Sequence, residues 1–217
     1  MAEFIDLSHT VEHGMITYKG LPAPIICDYL SREASRQRYA PGTEFHIGKI
    51  EMVANTGTYI DSPFHRYADG DDLSQLRLEL LASLECVVVD VTQRKARAIE
   101  IPLDGDLRGK AVLFRTGWSK HWRTDQYFER HPYLTGALAE QLVDQQVALV
   151  GIDSFNIDCT DDGHRPVHSA VLRAGIPIVE HLCKLGELPD QGFKFFAVPV
   201  KVQQFGTFPV RAFAIVI

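Results

Sequence analysis

Apolar residues arrive in short dense runs rather than long helical stripes. Leu84–Val91 is almost unbroken, Lys110–Arg115 holds Ala-Val-Leu-Phe before Thr116-Gly117, and Val147–Ile152 is a third. Runs of this length suit strands covered on both faces. Leu134–Val143 differs: Leu134, Leu138 and Leu142 recur every four residues, which predicts an amphipathic helix leading into the third run. A helix is predicted over Val167–Arg173, closed by Gly175 just past its end. Ile178–Leu185 reads as a second short helix, and Phe193–Val202 and Val210–Ile217 as closing strands. Residues 45–54 read as a strand that enters the segment beginning at Asn55. Residues 1–44 are loop-rich, with Gly20-Leu21-Pro22-Ala23-Pro24 and Pro41-Gly42. Such an entry wraps a domain or lies over a pocket. Strands outnumber helices and partly alternate with them. The expectation is a single α/β domain over 1–217, with a mixed β-sheet core and flanking helices.

Composition narrows the partners. Of 217 residues, 46% are hydrophobic and 23% charged, ordinary for a soluble globular chain. The net charge is -6 and no basic stripe stands out, which argues against nucleic acid. No apolar run approaches the ~20 residues that cross a bilayer. The opening Met1-Ala2-Glu3-Phe4-Ile5-Asp6 lacks the basic and apolar regions of a signal peptide. A cytoplasmic protein with no membrane partner is expected. Cys27, Cys86, Cys159 and Cys183 form no Cys-x-x-Cys pair, so four reduced thiols and no zinc ribbon are expected.

The chemistry concentrates in Asn55-Thr-Gly-Thr-Tyr-Ile-Asp-Ser-Pro-Phe-His65. Gly57-Thr58 and Ser62-Pro63 signal tight turns, and Pro63 makes the chain leave the sheet. On the residues alone two readings stand. In one, Asp61 is a turn cap and His65 an ordinary surface or core histidine. Alternatively the two form a metal ligand and a general base on a loop at a strand end. His168 sits among Val167, Ala170 and Leu172, and Glu180 follows an apolar run. On the residues alone each reads more readily as a packed or paired side chain than as a ligand. Asp153, Asp158, Asp161, Asp162 and His164 enrich the same region in acids, which usually marks a solvated loop.

The segment resembles the signature of the cyclase-type metal-dependent hydrolases, the family of bacterial kynurenine formamidase (arylformamidase) and isatin hydrolase. Their pattern is His-x-Gly-Thr-His-x-Asp-x-Pro-x-His. Five of its seven fixed positions match, with Asn55 and Tyr59 in place of two histidines. The resemblance extends to Asp6-Leu7-Ser8-His9, Arg115-Thr116-Gly117-Trp118, Gly151-Ile152-Asp153, Pro199–Val202 and Pro209-Val210-Arg211. It implies the cyclase, kynurenine-formamidase-like fold of the swivelling β/β/α type. It also implies a homodimer or homotetramer, in which the N-terminal region supplies the contact.

Carried over by position, the resemblance implies Asp61, His168 and Glu180 as metal ligands and His65 as the catalytic acid/base residue. An amide oxygen is a poor zinc ligand, and a phenol must ionise to bind well. The first metal position of the family is therefore expected to be lost. The second keeps two carboxylates and an imidazole, a set that suits one zinc, manganese or iron ion. Asn55 and Tyr59 become candidate substrate-binding residues, with Tyr59 also a candidate catalytic donor. The implied activity is hydrolysis of a small amide, cyclic amide or lactone substrate. The alternatives are a metal-independent isomerase, dehydratase or cyclase using Tyr59, Asp61 and His65, and a ligand-binding relative without catalysis. The two replaced histidines are metal ligands in kynurenine formamidase, which sets this chain apart from that enzyme.

Overall fold

The three apolar runs lie side by side at the centre of a nine-stranded mixed sheet in the computed structural model, which describes residues 1–216. In chain order the strands are β1 (Glu3–Asp6), β2 (Ile25–Leu30), β3 (Ile47–Glu51), β4 (Tyr59–Asp61), β5 (Leu84–Asp90), β6 (Ala98–Ile99) and β7 (Ala111–Arg115). There follow β8 (Tyr133–Leu134), β9 (Leu149–Ile152), β10 (Ile178–Glu180), β11 (Gln191–Phe196), β12 (Thr207–Pro209) and β13 (Phe213–Val216). The α-helices are α1 (Arg32–Ser35), α2 (Gly136–Asp144) and α3 (Pro166–Arg173).

The sheet runs β1-β13-β11-β5-β7-β9-β10-β4-β12. Its centre, β5-β7-β9-β10, is parallel, and the flanking pairs are antiparallel. Side chains alternate across it. Val112, Phe114, Val150 and Ile152 point to one core, where α2 and α3 contribute Leu138, Leu142, Val167 and Val171. Leu113, Leu149 and Val179 point to the other, with Ile60, Phe193, Phe195 and Ala214. Both faces of the central strands are thus dry, which explains their apolar runs. Burying each such side chain contributes about 1.5–3 kcal/mol before entropy is subtracted.

Four expectations need correction. The closing strands are shorter than expected, Gln191–Phe196 and Phe213–Val216, and a separate strand, Thr207–Pro209, precedes the second. Ile178–Leu185 is not a helix: Ile178–Glu180 is a strand, parallel to β9 and antiparallel to β4. Its β-branched Ile178 and Val179 fill slots between those neighbours, and three residues carry too little period to reveal this. Leu134 belongs to β8, and α2 begins after Thr135, whose side chain caps Leu138 N at 3.3 Å. Residues 47–51 do form a strand, but β3 pairs only with β2, in a ribbon apart from the main sheet. Ile217, at the end of the last expected strand, lies outside the described residues. Among the described residues no helix is long and apolar enough to cross a membrane, and all four cysteines are free thiols.

Candidate active site and ion-binding cluster

Strands β4, β10 and β12 bring the chemistry together. Tyr59 pairs in register with Glu180 and with Pro209, and Asp61 with Ile178 and Thr207. Residues two apart on a strand share a face, and register partners share it too. Tyr59, Asp61, Glu180 and Thr207 therefore present side chains to one side of the sheet. Pro63 then turns the chain into a 3-10 turn, Pro63–His65, that returns His65 above Asp61. Gly57 starts this segment at φ +68, and a Cβ there would meet Val11 at 2.8 Å. The segment is tied to the N-terminal wrap, with Gly57 N donating to Thr17 Oγ1 and His9 N to Thr58 Oγ1.

Asp61 is fully buried. Its Oδ1 accepts from the Thr207 hydroxyl at 2.5 Å, whereas its Oδ2 has no hydrogen-bond partner among the described residues. The Thr207 oxygen also lies 2.8 Å from His65 Nδ1. His168 Nε2 stands 3.7 Å from Asp61 Oδ2 and 3.9 Å from Glu180 Oε1. The other nitrogen of His168, Nδ1, lies 2.6 Å from Asp158 Oδ2. Asp158 also caps α3, accepting from Val167 N and His168 N. A carboxylate on Nδ1 fixes ring orientation and leaves Nε2 to face the cluster. Ligand atoms of Asp61, His65 and His168 all fall within 4.8 Å of one another.

Glu180 is more committed. Its Oε1 accepts from Ile157 N at 2.6 Å, and its Oε2 from the Tyr59 hydroxyl at 2.5 Å. Tyr18 reaches in from the N-terminal wrap, its hydroxyl 2.8 Å from that of Tyr59, and accepts from Asn156 Nδ2 at 3.0 Å. Burial, with the charge of Glu180 next, raises both phenols well above their ordinary range. Both are neutral hydroxyls. Burial also raises Glu180 to about 7, against the opposing pull of His168. Burial acts to lower His168, but its contacts with Asp158 and Asp61 and the charge of Glu180 outweigh this and raise it to about 10.

A cleft of about 300 Å³ opens over the cluster, lined by Asn55, Tyr59, His65, His168 and Glu180 together with Tyr18, Leu21, Asn156, Arg66 and Arg165. All of the sequence-derived site residues except Asp61 line it, and Asp61 lies directly behind His65 and His168. Sequence reasoning did not single out Thr207, Asp158, Tyr18, Asn156 or the two arginines. Asp158 alone had a local signal, lying ten residues before His168 in an acid-rich loop.

The donors fit one divalent ion. An orphaned buried carboxylate oxygen faces an oriented imidazole nitrogen, with Glu180 and His65 at the margin. Where the family pattern would build its first metal position stands Tyr59, a neutral phenol whose hydroxyl donates to Glu180.

Comparison with known proteins agrees with this geometry. Residues 5–159 match the family described as "Putative cyclase". Kynurenine formamidase of Bacillus cereus is 27% identical over 212 residues, covering 97% of this chain and 96% of that protein. The Bacillus cytotoxicus enzyme of the same name is 28% identical with the same coverage. Isatin hydrolase A from Labrenzia aggregata, solved with benzyl benzoate, shares the fold at TM-score 0.80 and 20% identity, covering 99% of this chain and 94% of that one. A potential metal-dependent hydrolase with cyclase activity superposes at TM-score 0.79 with 24% identity, covering 99% and 98%. With more than half of its length matched, the chain belongs to the cyclase family.

Proposed function

We propose that the protein is a hydrolase of a small amide, cyclic amide or lactone, working with one divalent ion held by Asp61 and His168 and bordered by Glu180. The unpartnered Asp61 Oδ2 beside His168 Nε2 carries this reading. A buried carboxylate oxygen without a donor is costly, and a cation removes that cost. When bound, such an ion polarises a carbonyl and lowers the pKa of water.

The chain supplies the proton chemistry. A carboxylate only accepts, so the Thr207 hydroxyl donates to Asp61 and its lone pair takes the Nδ1–H of His65. Nε2 of His65 is then the acceptor that takes a proton from the attacking water and returns it to the leaving group. Neutral Tyr59 holds Glu180, and Asn55 lines the cleft as a polar contact for substrate. Assay of aryl formamides, cyclic amides and lactones, with and without chelator, tests the proposal. Turnover that survives exhaustive chelation would contradict it.

One observation favours a metal-independent acid/base enzyme instead. His168 stands among three carboxylates, Asp61, Asp158 and Glu180, whose contacts and charge favour its protonated form over the opposing effect of burial, so the ring itself offsets part of the acid cluster. Chelator-resistant turnover is the result that reading requires.

We also propose self-association. The β2–β3 ribbon exposes Ile26, Tyr29, Ile47 and Ile50, an apolar surface that a second copy would cover. Light scattering that returned a monomer would count against it.

A further inference from the structure

We infer that the cleft takes a substrate bearing a carboxylate, bound by Arg66 and Arg165 while its reacting carbonyl faces His65. The position of the carbonyl rests on the hydrolase reading; the anion site does not. Arg66 directly follows His65, and Arg165 directly precedes α3, which carries His168. Both line the cleft. Neither meets a carboxylate among the described residues; other arginines also lack one, but Arg66 and Arg165 are the ones that line this cleft. In a chain of net charge -6, two unpaired guanidinium groups beside one cleft leave an anion to be supplied from outside.

Arg165 is held for such a role. It occupies the N-cap of α3 at φ 51 and ψ 59, a left-handed conformation that costs a non-glycine residue free energy. It does no capping, since Asp158 takes the free amides of Val167 and His168. Its Nη1 instead donates to Asn156 Oδ1 and to the Cys159 carbonyl, both at 3.3 Å. These bonds fix the guanidinium through one nitrogen and leave Nε and Nη2 without a partner among the described residues. Arg66 is looser, its Nε 3.5 Å from Ser169 Oγ. A guanidinium recognises a planar carboxylate by paired donors, and two of them favour an anion over a neutral isostere. Glu180, which lines the cleft, and Asp61 behind it would repel an anion placed beside them. Charge therefore orients the ligand with its carboxylate outward.

Calorimetric titration with benzoate and with benzamide tests the inference. Benzoate should bind at least tenfold more tightly. Arg165→Gln and Arg66→Gln should each cut that preference severalfold, and the double variant should abolish it. Equal affinity for the two probes would overturn the inference. So would a preference that persists in the double variant, which would put the carboxylate elsewhere. Hydrolysis is scored separately. Turnover of acidic and neutral amides at equal efficiency would overturn the anion site and leave the hydrolase reading intact. Benzoate binding that depends on the arginines, with no turnover of any amide or lactone, would do the reverse.

Discussion

The hydroxyl of Thr207 lies 2.8 Å from Nδ1 of His65, and the same oxygen lies 2.5 Å from Asp61. One side chain, contributed 142 residues after His65, thereby sets which nitrogen of the histidine carries the proton. Thr207→Val keeps the shape and removes the link. It should lower kcat by about ten- to a hundredfold, the scale of a general base turned out of place, with little change in KM. Thr207→Ser should restore most of the rate. A pH–rate profile in which the Val variant keeps the wild-type shape and height would show that Thr207 does not act through His65.

Gly206, next along the chain, makes the approach possible. A Cβ at this position would fall 2.5 Å from both Cα and N of His65. Gly206→Ala should displace the turn that carries His65 and depress turnover, while circular dichroism remains native. Unchanged kinetics would mean that the turn yields without consequence.

Tyr59 and Asn55 make a sharper contrast. If they remove the family's first metal position, Asn55→His combined with Tyr59→His should recreate it. Elemental analysis should then find more bound divalent ion per chain than in the parent. Tyr59→Phe leaves Glu180 Oε2 without its shortest donor, and should destabilise the fold by about 1–3 kcal/mol. A double-histidine variant with the parent's ion content would show that Tyr59 was not the obstacle.

Buried histidines set the acid limit of stability. Burial lowers His9 and His131 to about 4 and His181 well below its ordinary range. The unfolded chain binds protons at these sites near pH 6.5, before the folded one does. Stability is therefore retained above pH 6.5 and lost as pH falls towards 4. At 1.36 kcal/mol per unit, His131 accounts for about 3 kcal/mol. Glu180, raised to about 7, and Asp153, raised to about 6, act in the opposite sense, so the comparison is the test: the Tm of His131→Gln should fall less between pH 7 and 4 than that of the wild type. Equal slopes in the two proteins would remove His131 from the account.

Much of the fold and part of the site were legible in the chain. The Leu84, Lys110 and Val147 runs announced the central strands because those strands are buried on both faces. The segment from Asn55 to His65 announced the cluster because its turn residues and polar groups lie within eleven positions. The run that holds Glu180 reads as a helix in the sequence, since β10 is defined by neighbours on both sides rather than by its own pattern. Thr207, Tyr18 and Asn156 left no local trace. Each is an ordinary polar residue that matters because pairing of β12 with β4, or the path of the N-terminal wrap, delivers it from far along the chain.

Elemental analysis of the protein purified without added metal tests the central claim most directly. The account predicts one divalent ion per chain, released by Asp61→Asn and by His168→Gln. Absence of bound ion in a preparation that hydrolyses amides or lactones would contradict it, and so would two ions per chain.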